Sequence, residues 1–281
     1  MKKLIALLCA VVMIATLFAG CGGDSASVSG VKVIPIELTQ EEYAFGVDKN
    51  QPELLEQANA YIEKIISDGT LDSIFEKYFA GGDVEPITSA AQDSSKDQLV
   101  VATNAAFEPF EYLLGENYYG IDMEIAKGFA ESLGKELVIM NMDFDAVCLS
   151  VSQGKCDIAM AGLTVNEERK EFVNFTTAYY QASQTIMVLN TDTTFDNCKT
   201  VEDVEAILSA CDSSTKIGFQ TGTTGQFYTE GDESWGFAGF PVTAVGYKTG
   251  ALAAQDMLNG NLTYVIIDKD PANYIASSIN G

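Results

Sequence analysis

The segment AGLTVNEERK, residues 161–170, contains the only arginine of the chain, Arg169, and every other basic residue is a lysine. A guanidinium presents a planar fork of donors that fits a carboxylate with two parallel hydrogen bonds, and an ammonium cannot reproduce that geometry. Arg169 is therefore a candidate clamp for a carboxylate ligand. From this segment alone, the alternative is an exposed arginine on a short helix.

The chain contains no histidine, which excludes Ser-His-Asp and Cys-His catalysis and most zinc sites. No two cysteines form a CxxC pair, so we expect no bound metal and no cofactor. Outside the cytoplasm, Cys198 and Cys211 can pair as a disulfide, whereas free buried thiols are equally consistent with Cys148 and Cys156. The net charge of −24 opposes binding to nucleic acid or to anionic lipid heads.

The N-terminus has the pattern of a secretory signal. A basic start precedes an apolar run at 4–18 that is too short for a stable transmembrane helix. The end of this run, LFAGC, resembles the lipobox of bacterial lipoproteins, in which the cysteine carries the lipid. We therefore predict a lipoprotein signal peptide at 1–20, a lipid anchor at Cys21 and a flexible tether at 21–30, and hence an extracytoplasmic protein anchored to the cell membrane.

From residue 98 onward, strand and helix patterns alternate, which predicts an α/β fold with a largely parallel sheet and helices on both faces. The strands are predicted at 98–103, 136–140, 157–161, 185–189, 216–219 and 263–267. The helices are predicted at 121–133, 144–152, around Arg169, 201–210, from 223, at 249–258 and at 271–279. Sheets of this kind bind ligands on the turns that follow their strands. These turns are 104–110, 162–164, 220–224 and Asp268.

The front of the chain has a different pattern, and a polar segment separates it from the rest. The predicted elements are strands at 31–36 and 43–47, an amphipathic helix at 52–67 and a shorter helix at 71–79. Residues 80–97 are Gly/Ser-rich and aperiodic, which is typical of a linker.

Residues 98–281 resemble the bacterial solute-binding proteins that deliver polar amino acids to ABC transporters, in particular the glutamine-binding and lysine/arginine/ornithine-binding members. The segments that carry the resemblance, in family order, are VVATNAAFEPFEY, YYGIDMEIAKGFAESLG, MDFDAV, GKCDIAMAGLTVNEERKEFVNFTTAYY, IGFQTGTTGQFY and VIIDKDPANY. The resemblance implies a two-lobe, type II periplasmic-binding-protein-like fold with the ligand in a cleft between the lobes.

In that family the chain continues beyond a segment like PANYIASSING, with a returning strand and two closing helices. Residues 31–79 resemble this missing end, so we predict a circular permutant in which 80–97 joins the old C- and N-termini. A linker of this length reaches roughly 60 Å when extended. The predicted lobes are 41–79 plus 98–181 and 182–281 plus 31–40, with crossings near 180–183 and 39–42. A fusion of two truncated paralogues and a swapped dimer are the alternatives.

A free amino acid has one fixed anion and one fixed cation, so its site needs a carboxylate clamp and an ammonium acceptor. The residues assigned to the ligand carboxylate, by their position and by the resemblance, are Arg169, Thr164, Thr223 and Thr224. Their hydroxyls and the backbone N–H groups where helices begin favour an anion. Asp268 and the carbonyl of Gly162 are assigned to the ammonium.

Contacts to the ligand side chain are predicted for four further residues. The aromatic rings of Phe107 and Phe144 match the ring walls of the family, although each alone reads as a core phenylalanine. Lysine/arginine/ornithine binders carry an acid in place of Asn104, and glutamine binders a lysine in place of Gln220. Because both are neutral here, a neutral polar ligand such as glutamine is expected, with arginine and cystine left open. Glu111 is expected to be solvated, and the alternative is that it turns inward and restores an acid to the site.

These inferences together predict a lipid-anchored receptor, monomeric and not an enzyme, that binds a free amino acid and delivers it to the permease of an ABC transporter. Two alternatives remain at this point. One is a dehydratase on the same scaffold, acting on cyclic dienyl amino acids or keto acids. The other is a ligand-sensing subunit for a signalling partner.

Overall fold

The computed structural model describes residues 30–281. The predicted signal peptide and Cys21 lie outside the described residues, as does nearly all of the tether. Within the described range, no helix combines the length and the apolar character needed to cross a membrane. No group of acidic and cysteine side chains in that range is arranged to hold a metal ion.

The elements follow the predicted alternation closely. The front contains β1 (Val31–Val33), β2 (Glu41–Tyr43), β3 (Gly46–Asp48), α1 (Pro52–Ser67) and α2 (Thr70–Phe79). The middle contains β4 (Gln98–Thr103), β5 (Ala106–Phe107), β6 (Glu111–Leu114), β7 (Asn117–Tyr119), α3 (Ile121–Leu133), β8 (Glu136–Asn141), α4 (Val147–Ser152), β9 (Ile158–Ala159), α5 (Glu167–Lys170) and β10 (Val173–Phe175). The last part contains β11 (Tyr180–Ala182), β12 (Gln184–Leu189), α6 (Val201–Ser209), β13 (Lys216–Gln220), α7 (Thr224–Glu230), β14 (Thr243–Tyr247), α8 (Gly250–Leu258), β15 (Tyr264–Asp268) and α9 (Lys269–Asn280).

Local sequence accounts for several of these boundaries. Proline at the first position of α1 has the φ angle of a helix and needs no hydrogen-bond acceptor there. Gly134 ends α3 with a left-handed φ of 69°, and its N–H bonds back to the last turn. At α6, the side chains of Thr200 and Asp203 form a reciprocal capping box.

Two five-stranded sheets form the frame, and each defines one lobe. The first lobe is built on the order β10-β3-β9-β4-β8 and the second lobe on the order β1-β12-β15-β13-β14. In each sheet three strands run parallel, and the remaining two are antiparallel to their neighbours. Four of the five strands in each sheet thus point the same way, and only β3 and β12 are reversed, so the sheets are mixed with a mainly parallel direction. β3 and β12 each follow the ribbon between the lobes directly, without a crossover helix that would keep them parallel.

The passage between the lobes is a two-stranded ribbon. β2 pairs antiparallel with β11, with Glu41 opposite Ala182 and Tyr43 opposite Tyr180. This ribbon lies where the sequence predicts the crossings. The exact residue boundaries proposed for the two lobes stay a prediction.

The two described ends of the chain meet in the second lobe. The Val31 N–H donates to Oδ1 of Asn280 at 3.1 Å, and Nδ2 of Asn280 donates to the Val31 carbonyl at 2.9 Å. A circular permutation requires the two ends to lie side by side, because in the usual order of the family residue 281 would be joined directly to residue 31. The permutation itself stays a prediction.

Residues 80–97 lie along the first lobe. Ile87 is buried and bridges Tyr118 through two backbone hydrogen bonds. Beyond it, the Ala90 N–H donates to the Leu137 carbonyl, and the Ile139 N–H donates to Oγ of Ser89. The predicted linker therefore covers the outer edge of β8, which would otherwise be an unpaired sheet edge.

Candidate ligand-binding site

The candidate residues gather where strands end, between the two lobes. In the first lobe, β4 leads to Asn104 and β9 leads to Gly162 and Thr164. In the second lobe, β13 ends at Gln220 and β15 ends at Asp268. All five are buried. The carboxyl ends of the parallel strands thus face a shared region, as expected for α/β sheets.

Arg169 is buried at 7% exposure, and its guanidinium joins the two lobes. Nη1 donates to the Thr164 carbonyl at 2.7 Å, and Nη2 donates to the Gly222 carbonyl of the opposite lobe at 3.0 Å. The ring of Phe144 lies below the guanidinium, 5.1 Å from its carbon, which is a cation–π contact. The flanking residues of α5 are exposed. The interpretation of Arg169 as an exposed residue is therefore wrong, and Phe144, predicted to contact the ligand, packs against the Arg169 guanidinium.

Glu41, which the sequence analysis did not single out, is at the centre of the site. It is 3% exposed, and Oε2 accepts from the hydroxyls of Thr164 at 2.6 Å and Thr224 at 2.8 Å. Oε1 accepts from the hydroxyl of Thr39 at 2.5 Å and from Nε2 of Gln184 at 3.1 Å. The sequence did contain a signal for this residue. Glu41 is an acid within the predicted crossing at 39–42, and a crossing segment borders the cleft.

Asp268 lies at the second-lobe side of the same cluster. Its Oδ1 accepts from the Tyr43 hydroxyl at 2.5 Å. Burial, together with the nearby charge of Glu41, raises the pKa of Asp268 to about 7. The Tyr43 ring lies among Phe110, Tyr179 and Tyr180, so the hydroxyl that binds Asp268 is held in place.

Gly162 is fixed by a buried acid on the first-lobe side. Its N–H donates to Oδ2 of Asp122 at 2.9 Å, and Asp122 also accepts from the Tyr179 hydroxyl. Burial raises the pKa of Asp122 to about 7. A Cβ at Gly162 would lie 2.9 Å from the Phe107 ring, and its φ of +54° is left-handed, so only glycine fits this turn. Phe107 therefore packs on the turn predicted to bind the ammonium.

The two predicted selectivity residues contact each other across the cleft. Nε2 of Gln220 donates to Oδ1 of Asn104 at 2.9 Å, and Nδ2 of Asn104 donates to the Met142 carbonyl at 2.6 Å. Oε1 of Gln220 is buried without a partner. Thr223, in contrast, uses its hydroxyl within its own turn, donating to the Gln220 carbonyl at 2.7 Å.

Glu111 is fully buried, so the expectation that it is solvated is wrong. It begins β6 opposite Phe107, and both carboxylate oxygens lack a hydrogen-bond partner. Burial, together with the charges of Asp122 and Asp268, raises its pKa well above the usual range. An unpartnered buried carboxyl group is costly to the stability of the folded chain.

The four described cysteines are free, and the Cys198–Cys211 disulfide is not formed. Helix α6 runs between them from Val201 to Ser209. At about 1.5 Å per residue, a helix of this length holds its flanking residues too far apart for an S–S bond.

The profile of the bacterial extracellular solute-binding proteins, family 3, matches residues 99–266, which is more than half of the chain. The chain belongs to this family. Its fold is accordingly the type II periplasmic-binding-protein-like α/β fold, and its localisation is extracytoplasmic. The match does not include the front segment.

Individual similar proteins match this chain over part of their own length. The arginine-binding extracellular protein ArtP of Bacillus subtilis (strain 168) is 34% identical over 100 residues, which are 36% of this chain and 39% of ArtP. Cyclohexadienyl dehydratase of Pseudomonas aeruginosa is 32% identical over 106 residues, 35% of this chain and 40% of that protein. The crystal structure of the ancestral amino acid-binding protein AncCDT-1, a precursor of cyclohexadienyl dehydratase, aligns with a TM-score of 0.55 at 27% identity, covering 74% of this chain and 78% of that one.

Proposed function

We propose that this protein is a receptor for a polar amino acid with a cationic side chain, and that it delivers its ligand to an ABC transporter permease. The observation that carries the proposal is the charge content of the cleft. The region between the lobes contains one buried guanidinium, Arg169, and four buried carboxyl groups, Glu41, Glu111, Asp122 and Asp268. Such a site should bind a ligand with two cationic groups and one anionic group more tightly than a ligand with one of each.

Each part of the ligand has a partner in this proposal. Arg169 takes the α-carboxylate, since it is the only arginine of the chain and a guanidinium fits a carboxylate with two parallel hydrogen bonds. Asp268 takes the α-ammonium together with the Gly162 carbonyl. Glu111 takes the side-chain cation, because its two oxygens have no other partner. The resemblance of this chain to an arginine-binding protein agrees with the assignment.

The test is a calorimetric titration with arginine, citrulline and glutamine. Citrulline matches arginine in shape but lacks the charge. We expect arginine to bind more tightly than citrulline by tenfold or more, and Glu111→Gln to remove most of that difference. Equal affinity of the wild-type protein for arginine and citrulline contradicts the cationic assignment.

A neutral ligand is the second candidate, and the Asn104–Gln220 hydrogen bond favours it. Two amides that face each other can turn to match the amide of glutamine, which donates and accepts as they do. Under this alternative, glutamine binds more tightly than arginine, and Gln220→Leu removes the preference. The same three-ligand titration decides between the two candidates.

An enzymatic role is the third candidate, because a dehydratase is among the relatives and the cleft contains acids that hold protons near neutral pH. We propose a binding protein rather than an enzyme, since the family consists mainly of binding proteins. Incubation with prephenate or arogenate, followed by chromatography, should give no more product than buffer. Product that disappears in Glu111→Gln would instead support catalysis.

The permuted order and the lipid anchor are part of the same proposal. A rearranged chain, with residues 98–281 followed by 30–79, should fold and bind with unchanged affinity if the order is a permutation. Light scattering on the natural chain should give a monomer, whereas a swapped assembly gives a dimer. Cys21→Ser should release the protein from the membrane fraction if Cys21 carries lipid.

A further inference from the structure

The carboxylate of Glu41 connects the two lobes through a single oxygen. Oε2 accepts from the Thr164 hydroxyl at 2.6 Å and from the Thr224 hydroxyl at 2.8 Å. Thr164 belongs to the turn after β9 of the first lobe, and Thr224 begins α7 after β13 of the second lobe. Both threonines are buried, as is Glu41 itself.

The other oxygen of Glu41 is also satisfied. Oε1 accepts from Thr39 at 2.5 Å and from Gln184 at 3.1 Å. A carboxylate has about four lone-pair positions, so four hydrogen bonds use its whole accepting capacity. Glu41 therefore differs from Glu111, whose oxygens have no partner.

These bonds use donors that a ligand carboxylate would need. A threonine hydroxyl has one proton and donates one hydrogen bond at a time. We propose that Glu41 is an internal competitor of the ligand: its carboxylate takes the hydroxyls of Thr164 and Thr224, closes the cleft without ligand, and must give up these bonds when an amino acid binds. This inference rests on the proposed function, in which Thr164 and Thr224 serve the ligand carboxylate.

The position of Glu41 suits this role. It lies on β2, one strand of the ribbon that joins the lobes, and it is opposite Ala182 of β11. A small rotation of the ribbon moves Glu41 relative to both threonines. Binding of a ligand and movement of the lobes are thereby coupled to the same side chain.

The test compares Glu41→Ala with the matched control Glu42→Ala. Glu42 is the next residue of the same strand, is exposed, and accepts only from Nε2 of Gln181 at 3.1 Å among the side-chain contacts of the described range. Glu41→Ala should bind amino acids about tenfold more tightly, the equivalent of one charge-assisted hydrogen bond. Glu42→Ala should bind as the wild type does. Glu41→Gln keeps the size of the side chain and serves if the alanine variant does not fold.

A second measurement addresses closure. Small-angle X-ray scattering without ligand should show a larger radius of gyration for Glu41→Ala than for the wild type and for Glu42→Ala. Weaker binding by both Glu41 variants overturns the competitor role, since Glu41 would then contact the ligand favourably. An unchanged radius of gyration overturns the bridging role. If no variant binds any amino acid, the proposed function fails, and the scattering comparison still decides whether Glu41 holds the lobes together.

Discussion

Replacing Asp268 by asparagine should make the ligand-free protein more stable at pH 8 while removing its ability to bind an amino acid. Burial and the charge of Glu41 raise the pKa of Asp268 from 3.8 to about 7 in the folded protein. The unfolded chain has the ordinary value, so it loses its proton at lower pH than the folded chain does. Asp268 therefore lowers stability progressively as the pH rises from about 4 to about 7.

The size of the effect follows from that rise in pKa. A rise in pKa of about three units corresponds to about 4 kcal/mol at pH 8, and about 3 kcal/mol of it develops between pH 5 and pH 8. An amide keeps an oxygen acceptor for the Tyr43 hydroxyl, which is 2.5 Å from Oδ1 in the native protein. The stability gain of Asp268→Asn should thus approach these values at pH 8 and shrink at pH 5.

The assay is urea unfolding of both proteins at pH 5 and pH 8, with calorimetric titration of the ligand in parallel. Asp270→Asn is the matched control, because Asp270 also accepts from a tyrosine, Tyr180 at 2.7 Å, but is only partly buried. Loss of the ammonium partner should weaken binding by about 2 to 5 kcal/mol. A stability gain that is the same at pH 5 and pH 8 would refute the pKa argument. Normal binding by Asp268→Asn would refute its place in the site.

Three further outcomes are expected. Arg169→Lys should weaken binding of every amino acid by about 2 kcal/mol in calorimetry because the planar fork is lost, whereas Lys170→Ala, on the exposed face of the same helix, should not. Ligand binding should release protons and become tighter from pH 5.5 to pH 8, because the ligand ammonium lowers the pKa of Asp268. Identical heats of binding in buffers of different ionisation enthalpy would contradict this release of protons. Gly225→Ala should destabilise the protein by about 1 to 3 kcal/mol in chemical unfolding, since its Cβ would lie 2.7 Å from the Ile266 carbonyl oxygen.

Sequence patterns predicted the helices most accurately. The bounds of α1 and α3 agree with the periodicity because proline and glycine mark the ends and the apolar residues recur on one face. The strand expected at 43–47 is instead two short strands, β2 and β3. The chain changes partners there, from β11 to β9 and β10, and a local pattern does not contain the identity of a partner strand.

The same limit applies to the candidate site. Arg169, Thr164 and Asp268 were singled out because their chemistry and their positions after strands point to a zwitterionic ligand, and their roles stay a prediction. Glu41 and Glu111 were missed, because a charged residue is expected to be exposed unless its three-dimensional surroundings are known. Their burial results from contacts between segments far apart in the chain, for example Glu41 with Thr224.

The meeting of the two ends has a consequence for the order in which the protein can be assembled. β1 needs β12 as its partner, and the Val31 backbone needs Asn280, the penultimate residue. β3 likewise needs β9 and β10, which come later in the chain, as its partner strands. In a chain that emerges from its N-terminus, β3 therefore stays unpaired until β9 and β10 have emerged, and the Val31 backbone has no partner until Asn280 has emerged, so the second lobe is the later one to finish folding. Folding of such distant pairs is slow, and the natural chain should refold more slowly than one with residues 30–79 moved to the end.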